Sequence, residues 1–445
     1  MIKTRDMTTG SETKHLIRFA LPLLAGNLLQ QTYNAADTLI VGKYLGDDAL
    51  AAVGATGSIT YFFYTLCIGL SIGSGILAAQ LFGAGRLERL RRSIISSGAV
   101  TAIFGVVVSI VSAVAAKPVL QFLNVPPDLL GRSVTYMRIA CSGTICVAAY
   151  NWINAIMRAL GNTTVPLVFL GVSTVLNIGL DLLFVMVCGF GVGGAAAATI
   201  MAQGLSAVGC IVYCFGSNKN IRPKGDEFRP DAVLMKKCMT MGIPIAIQNG
   251  LVSVSMIALQ RVTNGFGNTV MASYTVSMRI EQFVQQPFAS MNAAISTFTG
   301  QNIGAGKQDR AVKGLRSGVM LSSVFAVMMF VVFLILGKNI SAFFVSGQDV
   351  ISISGKALIL TGAFYIPLGM IHTVRGFLNG AGDTAYAIVN GLSEVISRIG
   401  FSLILTNIAA VGFWGIWITT SITWVVTAAV SCHRYFKGKW KLKAV

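Results

Sequence analysis

The sequence predicts an all-α integral membrane protein, with twelve transmembrane helices in two pseudo-symmetric six-helix lobes. Three observations carry that prediction. Of 445 residues, 54% are hydrophobic and 11% are charged, against about 25% charged in an ordinary soluble domain. The apolar residues form continuous runs, close to the roughly 20 residues a helix needs to cross a hydrocarbon core of about 30 Å. Landmarks of the first half also recur, in order, in the second. This composition excludes a soluble enzyme, whose surface could not cover so much apolar material. A bilayer admits only helices or closed barrels, and the runs do not alternate polar with apolar as barrel strands do.

Cut at charge clusters and at Gly or Pro, the runs give spans at roughly 16–41, 50–81, 94–115, 134–157, 165–187, 192–215, 239–260, 270–300, 317–336, 357–378, 386–407 and 412–433. The polar start, to about Lys14, leads into a run too long for a signal-peptide core, so the first span is expected to stay in the mature protein. After the sixth span comes the one long polar connection, 216–237, which contains Lys219, Arg222, Lys224, Asp226, Glu227, Arg229, Asp231, Lys236 and Lys237. It divides the chain into an N-terminal lobe (1–215), a linker (216–237) and a C-terminal lobe (238–445). Gln80-Leu-Phe-Gly83-Ala-Gly85 matches Gln301-Asn-Ile-Gly304-Ala-Gly306. Gly161-Asn162-Thr163 falls on Gly382-Asp383-Thr384, and Gly191 and Gly194 fall on Gly412 and Gly415, every pair 221 positions apart. The starts Ala20-Leu-Pro22 and Gly242-Ile-Pro244 match at 222. Repeats with an even number of spans share one orientation, related by an axis along the membrane normal.

The 34 Lys plus Arg exceed the 16 Asp plus Glu by a net +18. In a soluble chain this balance suggests nucleic acid; here the basic residues lie between spans and set orientation. One side collects Lys3, Arg5, Lys14, Arg18, Arg86 to Arg92, Arg158, the linker, Lys307 to Arg316, Arg375 and the tail from Arg434 to Lys443. The other holds Lys43, Lys117, Arg132, Arg261, Lys338 and Lys356. Both termini are therefore expected in the cytoplasm. Eight Cys lie in or at the ends of apolar runs without a CxxC pair and read as small buried hydrophobes; Cys210 and Cys214 are one turn apart, but with three His in the chain no metal set is expected. Gly189-Phe-Gly191-Val-Gly193-Gly194 satisfies GxGxxG only as a string, since no acidic residue follows within about 20 positions. Without a Walker A lysine, an HExxH or paired acidic clusters, neither an ATP engine nor an enzyme is expected.

Ionisable groups inside a bilayer are costly and mark functional sites by default. The acidic ones within spans are Asp37, Asp181, Glu281 and Glu394. Asp37 ends a stripe on the first span with Pro22, Gly26, Gln30 and Tyr33 or Asn34, recurring every three or four residues on one helix face. On the fifth span Asn177 and Asp181 are one turn apart among apolar neighbours. Such a carboxyl can exchange a proton, or bind Na⁺ if amide and hydroxyl oxygens join it; a structural Asp bonded to a neighbouring helix is the other reading. Glu394 and Arg398, at i,i+4, read as an intrahelical ion pair. Glu281 lies among Gln282, Gln285 and Gln286, either beside a substrate path or at an interface. The acidic pair is not repeated, because Asn177 falls on Arg398 and Asp181 on Ser402. Pro22 and Pro244 are expected to interrupt the first helix of each half, with Pro22 a candidate hinge.

These residues resemble the multidrug and toxic compound extrusion (MATE) family. The resemblance rests on Leu21-Pro22, Gln31-Thr-Tyr33-Asn34-Ala-Ala-Asp37-Thr-Leu-Ile-Val-Gly42, Leu50-Ala51-Ala52-Val53-Gly54, Asn154-Ala-Ile-Met-Arg158-Ala-Leu-Gly161-Asn162-Thr163, Asn177-Ile-Gly-Leu-Asp181 and Arg375-Gly-Phe-Leu-Asn379-Gly380-Ala-Gly382-Asp383-Thr384. It runs over nearly the whole chain and implies the MATE-type fold, with export of organic, often cationic, compounds driven by inward flow of H⁺ or Na⁺. It also implies a polar network for the coupling cation at Asp37, Asn177, Asp181, Asn154, Tyr136 and Thr199, whose loading alters the first helix near Pro22. One branch of the family carries acids on the seventh and tenth helices. Here Gln248, Asn249 and His372 stand in those helices, so the pattern is closer to the DinF-like prokaryotic branch.

The expectation is a cation-coupled antiporter in a prokaryotic cytoplasmic membrane, acting as a monomer on small organic, cationic or amphipathic substrates. It would sit among membrane lipid, bind no nucleic acid and need no cofactor beyond the coupling ion. Gln30, Asn34, Gln282 and Gln285 are the candidate cleft residues. The alternatives are a flippase for a lipid-linked precursor, disfavoured because only Arg138, Arg279 and Arg398 fall within spans, and a membrane-embedded lipid-modifying enzyme, which lacks a catalytic cluster.

Overall fold

A computed structural model describes residues 5–123, 125–217 and 221–442; Lys3, Lys219 and Lys443 of the charge pattern lie outside them. The described residues contain helices and connecting turns but no strand. In chain order the α-helices are α1 (Glu12–Leu45), α2 (Asp47–Gly83), α3 (Leu87–Phe122), α4 (Pro127–Ser142), α5 (Thr144–Ala159), α6 (Thr164–Asp181) and α7 (Gly191–Ser217). They continue with α8 (Ala232–Asn264), α9 (Asn268–Gly304), α10 (Gln308–Ala342), α11 (Gln348–Gly362), α12 (Tyr365–Gly380), α13 (Tyr386–Thr406) and α14 (Gly415–Phe436).

Eight of these elements are long and apolar enough to cross a membrane singly, and two bent pairs pass together. The pairs are α4 with α5, bent by 41°, and α11 with α12, bent by 52°. The fourth and tenth spans are thus each a broken helix rather than the single runs expected at 134–157 and 357–378. The remaining two spans are α1 and α9, with 34 and 37 residues and lengths of about 50 Å. The polar residues of α1 and α9 lower their hydropathy without shortening them. Helices also run unbroken through Pro22 in α1 and Pro244 in α8. The expected interruptions occur elsewhere, at Gly143 and at Ala363–Phe364, where the chain needs to turn between packed neighbours. At Gly143 an added Cβ would collide with Ile200 of α7.

The repeated sequence landmarks are helix ends. After α2 the amide of Arg86 reaches back to the Leu81 carbonyl at 3.1 Å, and after α9 the amide of Lys307 reaches the Asn302 carbonyl at 2.8 Å. Both are six-to-one closures that need a left-handed residue before the donor. Gly85 (φ 69°) and Gly306 (φ 72°) supply it. Gly161 and Gly382 do the same for α5 and α12, with φ of 78° and 86°.

The chain forms two compact units. One comprises Leu21–Ala246 with the described residues before Met7; the other comprises Met7–Ala20 and the chain from Ile247. In the first, α5 packs along α2 and α6 along α7; in the second, α12 packs along α9 and α13 along α14. The linker is anchored to α3 of its own unit. Arg91 donates twice to the Glu227 carboxylate at 2.6 Å, and Ser96 accepts the Asp231 amide at 2.9 Å. Asp231 then caps α8 through the Val233 amide at 2.7 Å. In the second unit Phe288, Phe333, Tyr365 and Trp424 form the aromatic centre of the core. Glu394 meets Arg398 at 2.9 Å, the expected i,i+4 pair, and also Arg375 at 3.5 Å.

Candidate functional site

Residues of the first unit line a partly open cavity of about 580 Å³, within the range of sites for drug-sized molecules. The stripe on α1 forms one wall, because Pro22, Gly26, Gln30, Tyr33, Asn34 and Asp37 share a face and all line it. Tyr136 of α4, Asn154 of α5 and Thr199 of α7 contribute from the other walls. Behind that lining Asn177 and Asp181 are fully buried, placed by one helical turn at the end of α6. Asp181 is the last residue before a π-helical turn, Leu182–Val187, a widening of the helix that recurs at functional sites.

The carboxyl groups of Asp37 and Asp181 lie within hydrogen-bonding reach of each other. No N–H or O–H of the described residues donates to either oxygen of Asp181, to Oδ1 of Asp37 or to Oδ1 of Asn177. Two carboxylates in contact repel each other unless they share a proton or a cation. The polar groups around the pair include several oxygens. Asn177 turns its Nδ2 toward the Thr199 hydroxyl at 3.4 Å, which leaves its Oδ1 free, and Thr199 donates to the Ala195 carbonyl at 3.2 Å. The Tyr33 hydroxyl reaches Thr199 and Gln203. Such a set suits H⁺ or a hard cation such as Na⁺ equally. Among the described residues no group of three His, Cys, Asp or Glu could hold a metal ion.

The structure therefore places Pro22, Gln30, Asn34, Asp37, Tyr136, Asn154 and Thr199 along the lining of one cavity, with Asn177 and Asp181 behind it. Gln282 and Gln285 are on α9 of the second unit and line no part of this cavity. Glu281 is buried on α9, and its Oε1 accepts no hydrogen bond from the described residues. Sequence reasoning missed Gln203, Tyr64 and Asn151 as lining residues, and it placed Arg158 only among the charges that set orientation. The spacing Tyr150, Asn154, Arg158, at i, i+4 and i+8 on α5, held the signal: all three line the cavity.

A sequence model of the MatE family matches residues 22–183 and again 244–404, once in each half of the repeat. The chain is similar to two probable multidrug resistance proteins of Bacillus subtilis, YoeA and YpnP. They are 25% and 26% identical, each over 99% of this chain and over 97% and 98% of their own lengths. Among solved structures, a MATE protein crystallised in complex with MaL6 superimposes with a TM-score of 0.91 at 22% identity, over 99% of this chain and 100% of that one. An outward-facing multidrug resistance MATE family transporter of the MOP superfamily superimposes equally well, at 0.91 and 21% identity, over 99% of each chain.

Proposed function

This chain belongs to the MatE family of multidrug efflux transporters, and from that premise we propose that it is an antiporter. It exports organic, cationic or amphipathic compounds across a prokaryotic cytoplasmic membrane in exchange for H⁺ or Na⁺. The observation that carries the coupling is the pair of Asp37 and Asp181, facing each other without a protein donor at the wall of a drug-sized cavity. Asp37 and Asp181 take the coupling ion, Asn177, Tyr136 and Thr199 supply oxygens and hydrogen bonds around it, and Asn154 lines the same cavity toward its Arg158 end. Loading neutralises the pair and removes the repulsion that otherwise favours a wider spacing of α1 from α6. Pro22, which lacks an amide to donate within α1, is where α1 gives way. Binding energy at one cavity then biases which side of the membrane it opens to, which is alternating access.

The test uses proteoliposomes carrying the purified protein and a fluorescent organic cation, with a pH gradient and a Na⁺ gradient imposed separately. Movement under one gradient, absent in Asp37→Asn, establishes the antiport and names the ion. No movement under either gradient removes the coupling proposal while leaving the family assignment in place.

A further inference from the structure

The cavity is lined at one end by a carboxylate and at the other by a guanidinium. Arg158 occupies the last turn of α5, beside Thr163 and Pro166 at the start of α6. Asp37 meets Asp181, the last residue of α6, and the length of α6 separates its two ends by about 25 Å. Among the described residues Arg158 forms no ion pair, whereas Arg91, Arg310, Arg375, Arg398 and Arg434 each have an acid within 3.5 Å.

The internal repeat explains the difference. In register, Asn154-Ala-Ile-Met-Arg158 aligns with Arg375-Gly-Phe-Leu-Asn379, so the two halves exchange Asn and Arg across one helical turn. In the second unit Arg375 is neutralised by Glu394 and hydrogen-bonds to Asn390 at 2.6 and 3.1 Å. The positions equivalent to Glu394 and Asn390 in the first half are Ser173 and Phe169. The first unit thus keeps the cation and lacks the acid. Leaving a guanidinium inside a membrane protein without a counter-charge is costly, and here the charge faces an open volume. Asn154, one turn away, directs its buried Oδ1 toward no donor of the described residues, so the Arg158 end of the cavity is polar without holding an acid.

We propose that Arg158 is a specificity-determining residue, the anchor for an anionic group of the exported molecule. The preferred substrates of this transporter are then carboxylate-bearing amphiphiles, zwitterions rather than simple cations. The planar guanidinium receives the carboxylate through paired N–H donors, and the apolar or aromatic body lies along the tyrosines Tyr33, Tyr64 and Tyr150. The inference rests on the reading that transported compounds occupy this cavity.

The experiment is equilibrium binding to the purified full chain, followed by fluorescence anisotropy. The probes are rhodamine B, whose carboxylate is free, and rhodamine B ethyl ester, which lacks it. The expected result is about tenfold tighter binding of the acid than of the ester. In Arg158→Gln that preference collapses, and in Arg158→Lys part of it returns, because the charge is kept while the paired geometry is lost. Equal affinity for acid and ester in the native protein overturns the proposal. So does a preference that survives in Arg158→Gln, or a failure of both dyes to bind the native protein. Since no gradient is imposed, failure of ion coupling shows up separately, as binding with an acid preference but no gradient-driven movement.

Discussion

Asp181 closes α6 with both carboxyl oxygens buried and without a protein donor, and each residue of the site is best judged by what its atoms are left to bind. Asp37→Asn and Asp181→Asn each keep the size of the side chain and add a donor, so the pair can bond internally and, under the proposed coupling, takes up no external proton or cation. The expected outcome is loss of gradient-driven transport with expression and monodispersity retained. Loss of the folded protein instead would make these carboxyls structural. Away from the membrane, the Arg91 guanidinium holds the Glu227 carboxyl below its ordinary range, helped by the Lys224 amide at 2.8 Å. A carboxyl whose pKa is lowered on folding stabilises the fold above its unfolded value, about 4.3. That contribution disappears as the pH falls through the lowered folded value. Thermal unfolding in detergent should therefore show Glu227→Gln less stable than the native protein at neutral pH, with the gap closing well below pH 4.3.

At the scale of helices, small residues decide where two backbones can touch. On α12 an added Cβ at Gly376 would stand 2.5 Å from the Asn292 carbonyl of α9, and one at Gly380 would collide with the Ser296 carbonyl. Asn292 fastens the same crossing by donating to the His372 carbonyl at 2.9 Å. The corresponding crossing in the first unit uses Gly75 of α2 against Ala155 of α5, so the small residue sits on the other partner while the approach is conserved. This is the small-residue packing that replaces the hydrophobic drive between membrane helices. Gly376→Leu should lower stability by about 1–3 kcal/mol in a thermal unfolding assay, whereas Gly400→Ala on α13, with no atom within 4 Å, should change little. The two broken spans share a second logic. Gly143 and the Ala363–Phe364 turn re-aim α5 and α12, and on α5 that new direction presents Tyr150, Asn154 and Arg158 to the cavity.

For the whole molecule, duplication accounts for most of the architecture. The matching glycines adopt the same left-handed turns in both halves, at Gly85 and Gly306, Gly161 and Gly382, and Gly191 and Gly412. A further pair in the same register, Gly46 and Gly267 (φ 82° and 84°), marks the turn before α2 and before α9. The proposed sites do not follow the symmetry: among the described residues the contact of Asp37 with Asp181 and the cavity-lining Arg158 lie in the first unit, and the positions 221 residues after Asp181 and Arg158 hold Ser402 and Asn379. The asymmetry of Lys and Arg between connections predicts the orientation in the membrane. Alkaline phosphatase fused after residue 442 or within the linker should be inactive and fused after Pro126 should be active; the reverse pattern would invert the topology.

The order of the spans and their repeat could be read from the sequence by itself, because hydropathy over about 20 residues and the glycine turns are local properties. The stripe on α1 and the pairs Asn177 with Asp181 and Glu394 with Arg398 were legible for the same reason, since residues one turn apart must share a face. Only the tertiary structure decided that Asp37 meets Asp181, that Arg158 faces a cavity while Arg375 is neutralised, and that the breaks fall at Gly143 and Ala363–Phe364 instead of at Pro22 and Pro244. Each of these depends on how a helix is rotated about its axis and which neighbour it packs against. Those choices are set by side-chain packing between segments distant in the chain, and no local window of sequence contains them.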